Sequence, residues 1–348
     1  MILIKNIYYM LSYSFRVLNE QGYKNVAAEH FENIADLYAA ILSKGISVQI
    51  KRGLGREYVQ RTEGLSVLRG KLELNESLRA GSLQKKELVC SYDDFSVNSR
   101  LNQIIKSTVE LLLKSDISKK RKNELKKLLV FFSDVDSIDL KKVSWNIQYN
   151  RNNQTYRMLV SVCCMVAKGL LQTTSDGNTK LMDFMDDQQV SRLYERFILE
   201  FYRRELPRLS ASASQIKWQL DDGIDLLLPV MRTDIMLGYK EKILIIDAKY
   251  YSQSMQIQHD VQKIRSENLY QIFTYVKNKE TELSGRPHEV SGMLLYAKTD
   301  EEIYPDQIYY MSGNKISVCT LDLNNEFEKI KGQLIKLAKE HFGDEIEQ

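Results

Sequence analysis

Near the start of the chain apolar positions recur every three or four residues. Ile4, Ile7, Tyr8, Leu11, Phe15 and Leu18 form one such series, and Phe31, Ile34, Leu37 and Ile41 a second. This spacing predicts two amphipathic helices, the second stopping at Gly45. The texture then changes. Residues 48–74, "VQIKRGLGREYVQRTEGLSVLRGKLEL", mix β-branched residues, charge and glycine, which predicts short strands and loops presenting polar side chains. Helical spacing returns in "SRLNQIIKSTVELLLKS" and in the basic "SKKRKNELKKLLVFF", and "YRMLVSVCCMVAKGLL", residues 156–171, predicts a buried helix closing a first domain. The polar "QTTSDGNTK", residues 172–180, interrupts two helical patterns and contains Asp-Gly. It marks a linker, dividing the chain into domains 1–180 and 181–348.

The second half has a more regular order. "VSRLYERFILEFYRREL" puts Val190, Leu193, Tyr194, Phe197, Ile198 and Phe201 on one helical face, and Pro207 ends that helix. Strands are predicted at "SQIKWQL", "LLLPVMRTDIMLGY" and "KILIIDAKYY", a helix at "SENLYQIFTYVKNK", strands at "GMLLYA" and "KISVCTLDL", and a last helix over "EFEKIKGQLIKLAKEHF". The order α, β, β, β, α, β predicts a mixed sheet with helices packed on it, a fold of the α+β or α/β class.

Inside this pattern sit charges that taken alone would read as a solvated strand end; an acid one strand earlier, the apolar run between and a following helix carrying "QIFTY" single them out. In "TDIMLGYKEKILIIDAK" the run Ile-Leu-Ile-Ile ends in Asp247, and Lys249 two residues on points to the same side. The "GYKEK" turn lets the preceding strand run back alongside, which brings Asp234 toward the same spot. A carboxylate ending a buried strand is costly unless it meets a cation. Magnesium suits the pair, because it takes one or two carboxylates and completes its shell with water and substrate phosphate. With Lys249 beside it, such a site supports phosphodiester hydrolysis.

Composition alters this picture little. The chain has 348 residues, 43% of them hydrophobic, enough for two cores, and a net charge of +3 that identifies no partner, so any nucleic-acid surface must be local. Cys90, Cys163, Cys164 and Cys319 show no C-x-x-C spacing and are expected as buried thiols rather than zinc ligands. No apolar run approaches the roughly 20 residues of a membrane span, and Lys5 interrupts an N-terminus without a basic leader, so a cytoplasmic protein without a membrane partner is expected. "GLSVLRGKL" fails as a phosphate-binding loop, since Gly64 and Gly70 are one residue too far apart and Leu72 stands where Ser or Thr is required.

"TDI" followed by "LIIDAKYY" resembles the core of the PD-(D/E)xK nucleases, and Gln271 and Tyr275 of "QIFTY" match the Gln-x-x-x-Tyr element of their RecB-like branch. "KNIYYMLSYSF", "RGLGREY", "RGKLEL", "NSRLNQIIKST" and "LYERFILEFYRREL" widen the likeness to the McrC family of modification-dependent restriction systems, from residue 4 to about residue 320. The family's proline is not adjacent to Asp234; Pro229 stands five residues earlier.

The resemblance implies Asp234 and Asp247 as ligands of Mg2+, Lys249 as the catalytic lysine and Glu195 as an auxiliary acid. A surface ion pair explains Glu195 equally well. Gln271 and Tyr275 would hold the attacking water or a phosphate, or simply form a helix surface with a half-buried tyrosine. The implied partners are modified duplex DNA and a McrB-like hexameric AAA+ GTPase. Domain 1–180 would enter the pore of that hexamer and stimulate it, with segment 52–69 as a projecting finger. The basic run 119–127 fits DNA, the GTPase or a solvated helix face. A non-catalytic adaptor and a stand-alone RecB-like repair nuclease are the competing functions.

Overall fold

The computed structural model describes all residues except 1, 20–22, 24–25, 27–28, 151–152, 174–186, 224–225, 252–254, 259–260, 299–303 and 348. Helix α1 spans Ile4–Ser14. It is followed by α2 (Ile34–Arg52), β1 (Glu57–Leu65), β2 (Lys71–Leu72), α3 (Leu74–Arg79), β3 (Leu88–Ser96), α4 (Arg100–Leu113), α5 (Lys119–Leu129) and α6 (Tyr156–Thr173). The remainder comprises α7 (Asp187–Glu205), β4 (Ser210–Ser212), β5 (Gln215–Ile216), β6 (Met231–Arg232), β7 (Ile235–Tyr239), β8 (Lys242–Lys249), β9 (Met255–Gln258), β10 (Val261–Ile264), α8 (Ser266–Glu282), β11 (Glu289–Ala297), β12 (Gln307–Met311), β13 (Asn314–Leu321) and α9 (Phe327–Phe342).

The chain forms two compact units, but not at the expected boundary. Met1–Glu29 joins Met185–Gln348 in one unit, and His30–Phe184 makes the other. The reading of 1–180 as one domain is therefore corrected at its start. Helix α1 packs on α7. The Asn6 amide donates to the carbonyls of Leu323 and Asn325, both at 2.8 Å, and the Tyr13 hydroxyl donates to Glu205 at 2.7 Å. An apolar helical face specifies that it is buried, not which surface covers it. Of the expected linker, 174–180 lies outside the described residues, and 172–173 end α6.

Unit 30–184 is built on α2, α4, α5 and α6, which bury Leu37, Ile41, Ile104, Leu112, Leu125, Val162 and Val166 among themselves. Helix α2 runs through Gly45 and ends at Gly53, whose φ of 90° is the left-handed geometry glycine adopts without a Cβ penalty. Ile46 and Gln49 are buried, so packing of the helix carries it past the weak point at Gly45. Strands β1 and β3 pair antiparallel over nine positions, with β2 on the other edge of β3. This ribbon is fastened at its base by Asn102, which is fully buried. Its amide donates to the carbonyls of Gly55 (2.8 Å) and Val97 (2.7 Å), while its oxygen accepts from the Tyr156 hydroxyl at 2.8 Å. Beyond that base, Tyr58 and Phe95 face each other across the strands at 5.0 Å, 75% and 52% exposed.

The other unit holds a six-stranded mixed sheet in the order β12-β13-β11-β8-β7-β4. β11 is parallel to both β8 and β13, and the remaining pairs are antiparallel. Through the heart of this sheet the chain order is α7, β4, β7, β8, α8, β11. The long strands foreseen at 214–220 and 226–239 are shorter: β5 and β6 form a separate two-stranded ribbon, and Leu226, Leu227, Leu228 and Val230 are exposed. β8 is central and buried along most of its length, so alternation sends Ile245, Asp247 and Lys249 to one face and Leu244, Ile246 and Ala248 to the other. Helix α8 covers the first face, where Ile272 and Val276 pack with Ile245, Leu294 and Ile316. Gly292 allows this close approach, because a Cβ there would lie 2.8 Å from Ile272 and 2.9 Å from both Val276 and Ile316. That contact seats α8, and with it Gln271, above the end of β8.

Candidate active site

The register of the β7–β8 hairpin pairs Ile235 with Ile246, which puts Asp234, just before β7, opposite Asp247. Asp234 Oδ2 accepts a hydrogen bond from the Ala248 backbone N–H at 3.0 Å, so the acid is tied to the strand that carries its partner. Lys249 Nζ lies 3.0 Å from Asp247 Oδ2 and donates to Gln271 Oε1 at 3.2 Å. Gln271 Nε2 in turn donates to the Tyr275 hydroxyl at 2.9 Å. One turn of helix separates Gln271 from Tyr275, so both reach the same side of α8. Tyr275 is buried and Gln271 partly so.

The acids are held where their charge is expensive. Burial, then the charges of Asp247 and Glu195, push the Asp234 carboxyl up to about 8. For Lys249 burial works against the ammonium, yet Asp247 and Asp234 outweigh it and hold the group above its ordinary value. Burial also raises the Glu195 carboxyl; Ser191, donating to it at 3.0 Å, and the charge of Lys249 pull the other way. Glu195 thus interacts electrostatically with Lys249 and Asp247 and lines one cleft with Asp234, although no direct hydrogen bond joins it to them.

A stability prediction follows from Asp234. The native state holds its proton far above the carboxyl's ordinary range, so its contribution to stability is fully present below about pH 4. It is lost as pH rises toward about 8, on the order of a few kcal/mol in the metal-free protein. Asp234→Asn removes that dependence. Thermal unfolding at about pH 5 and about pH 9 should show the melting temperature of the unsubstituted chain falling more steeply than that of the variant. Equal slopes would refute the buried-acid assignment.

Asp247 has an unusual environment. Its side chain is buried, and neither carboxylate oxygen accepts a hydrogen bond of normal geometry, Lys249 supplying charge at 3.0 Å without the alignment. Orphaned carboxylate oxygens beside a second acid form an all-oxygen donor set that fits a hard divalent cation. Among the described residues no three His, Cys, Asp or Glu side chains gather as a complete metal cage. Asp234 and Asp247 would hold the ion through a partial shell, as magnesium accepts.

The family model for the McrBC 5-methylcytosine restriction system component matches residues 4–297. The chain belongs to this family. It is 29% identical over 344 residues to the type IV methyl-directed restriction enzyme EcoKMcrBC of Escherichia coli, covering 97% of each chain. Two solved structures are similar to it. One is a half-complex of Thermococcus gammatolerans McrB AAA+ hexamers with bound McrC (TM-score 0.47, 18% identity, 94% of this chain and 75% of that one). The other is the McrBC complex of the same organism (TM-score 0.39, 18% identity, 72% and 63%).

In this McrBC family member the site extends beyond the residues the sequence singled out. Asn268, buried three positions before Gln271, donates to the Tyr296 hydroxyl at 2.8 Å and accepts from the Tyr251 hydroxyl at 3.2 Å. Tyr296 is the register partner of Lys249 on β11, so this trio braces the strand that carries the lysine. The available signal was the helical spacing of Asn268 and Gln271, one face of one helix. No described helix is long and apolar enough to cross a membrane.

Proposed function

We propose that this chain is the magnesium-dependent DNA endonuclease of a modification-dependent restriction complex, built on a PD-(D/E)xK core and working in the cytoplasm. The observation that carries the reading is the Asp234–Asp247–Lys249–Gln271 constellation, with an Asp247 carboxylate buried and short of donors. Asp234 and Asp247 would hold Mg2+, which supplies Lewis-acid polarisation of a phosphodiester and an acidified water. Lys249, kept protonated by the acids and oriented by Gln271, stabilises negative charge building on the phosphate oxygens. Tyr275 fixes the Gln271 amide, so the lysine acceptor is the oxygen and the donor end faces the tyrosine. Glu195, with its proton held above the ordinary range, is suited to donating to the leaving oxygen.

The partner we assign is a GTP-hydrolysing AAA+ hexamer, received by unit 30–184. That unit carries the exposed Tyr58–Phe95 pair on a ribbon braced by Arg61 and Arg69 against Asp94, at 3.2 and 3.6 Å. Aromatic and arginine side chains of this kind serve as interface anchors. The similar McrC is described as bound to McrB AAA+ hexamers. Modified duplex DNA is the substrate.

The test is cleavage of methylated duplex by the complex reconstituted with the GTPase and GTP. Magnesium supports cutting. Calcium, with longer and looser coordination, binds the same acids but positions the attacking water poorly and leaves the duplex intact. Equal rates in the two ions would overturn the mechanism.

A further inference from the structure

Beside the acids runs a cleft of about 530 Å³ whose walls carry four arginines, Arg192, Arg196, Arg203 and Arg232, together with Glu195, Glu200 and Asp234. Three of the arginines come from α7, whose buried face is made by Leu193, Tyr194, Phe197, Ile198 and Phe201. They stand at positions i, i+4 and i+11, so they share the side of the helix next to that face. The fourth projects from β6, two residues before Asp234. Two of these guanidinium groups are already set by the fold. Arg196 lies over the Phe15 ring at 5.1 Å, and Arg203 donates to the Ala211 carbonyl at 3.0 Å and to Glu200 at 2.7 Å. The other two, Arg192 and Arg232, are exposed and form no ion pair among the described residues.

Glu200 neutralises Arg203, which leaves Arg192 and Arg232 as the exposed guanidinium groups open to an anion. Planar guanidinium forks match phosphate oxygens two at a time. The same cleft includes Asp234, so the anion seated there is continuous with whatever is presented to the acid pair. That acid pair and Glu195 repel an approaching polyanion, and the arginines offset the repulsion. We propose that this cleft seats the sugar–phosphate backbone of the DNA strand being cut, with Arg192 and Arg232 gripping phosphates next to the scissile one. The assignment rests on the nuclease reading above. It names two binding residues that position the substrate, Arg192 also lying close enough to Glu195 to pull its carboxyl down against the effect of burial.

The experiment uses the full chain assembled with its GTPase partner on methylated duplex in magnesium. The double variant Arg192→Ala/Arg232→Ala is expected to cut at least about tenfold more slowly at saturating DNA, from two lost charge-assisted contacts. Arg192→Lys/Arg232→Lys recovers much of the rate because it keeps the charge, and Arg192→Glu/Arg232→Glu is the slowest of the series. GTP turnover measured without DNA stays at the level of the unsubstituted complex in all three, which separates a grip on DNA from a folding or assembly defect. Cutting within twofold of normal by the alanine pair overturns the proposal, and so does a lysine pair as slow as the alanine pair, or GTP turnover that falls along with cutting. Inhibition by millimolar inorganic phosphate that disappears in the alanine pair would make the cleft a site for a free anion and also defeat the strand assignment. Asp247→Ala run in parallel keeps the two readings apart. If it cuts normally, the nuclease reading itself has failed; if it is dead while the arginine variants are normal, only the cleft assignment has.

Discussion

Asp247→Ala, Lys249→Ala and Asp234→Ala each lower DNA cleavage by the assembled complex by at least about a thousandfold, while GTP turnover and assembly with the partner continue. The size follows from the loss of a whole charge at the reacting centre, where one preorganised electrostatic contact is already worth roughly 10²–10³ in rate. The variants differ in their effect on stability. Removing Asp234 relieves the burial and then the repulsion from Asp247 and Glu195 that push its carboxyl up to about 8, so the metal-free protein is not weakened above neutral pH. Removing Lys249 leaves Asp247 buried with neither hydrogen-bond donor nor cation, an arrangement that costs about 3–5 kcal/mol. Lys249→Met and Asp247→Asn, closer in shape, serve beside the alanines so that loss of cutting is read on folded chains. Plasmid nicking, GTP release and melting temperature measured on the same preparations decide the matter. Cleavage near the normal rate by any one of them ends the assignment of that residue.

Much of this site is legible in the sequence because a strand has a period of two. A buried run ending in Asp247 forces Lys249 to the same face, and a short turn forces the preceding strand back alongside, so Asp234 could be placed from spacing alone. Glu195 is a different case. Its position at the edge of an apolar helical face fits a core-proximal acid and a solvated one equally. Tertiary packing partly buries it near Lys249 and Asp247, which helical position alone does not announce. Asn268, Tyr251 and Tyr296 come from a helix, a strand end and a parallel strand. Nothing in their separations announces that one asparagine will satisfy two hydroxyls. The same limit explains α1. Its tie to Leu323 and Asn325 spans more than three hundred positions, and contact at that distance leaves no periodic trace. Gly45 misled because a glycine weakens a helix without ending one when both flanks are buried.

The placement of α1 sharpens the expected behaviour of fragments. A fragment of residues 30–184 accelerates GTP hydrolysis by the partner and cuts no DNA, whereas a fragment of 1–180 carries α1 away from the surface that covers it. Ile7, Tyr8, Met10 and Leu11 are buried in the intact chain, and exposing them makes the longer fragment the less soluble of the two. The shorter one keeps its own helical core and the Asn102 brace under the ribbon, so it retains what the partner is proposed to recognise. Within it, Arg56→Glu combined with Tyr58→Ala lowers the stimulation of GTP turnover at least about tenfold, as expected for interface anchors worth about 2 kcal/mol. Neither side chain supports the core: Tyr58 is 75% exposed and Arg56 is exposed at the foot of β1. The full chain without the partner is nearly inert on DNA, because its sequence shows neither a nucleotide-binding loop nor an obvious base-reading motif, and an ungated nuclease would attack its own genome. GTP release and plasmid cleavage, measured with fragment and full chain in parallel, test the coupling directly. If the 30–184 fragment leaves GTP turnover unchanged, or if the full chain cuts freely by itself, control does not pass through this unit and a self-sufficient nuclease takes its place.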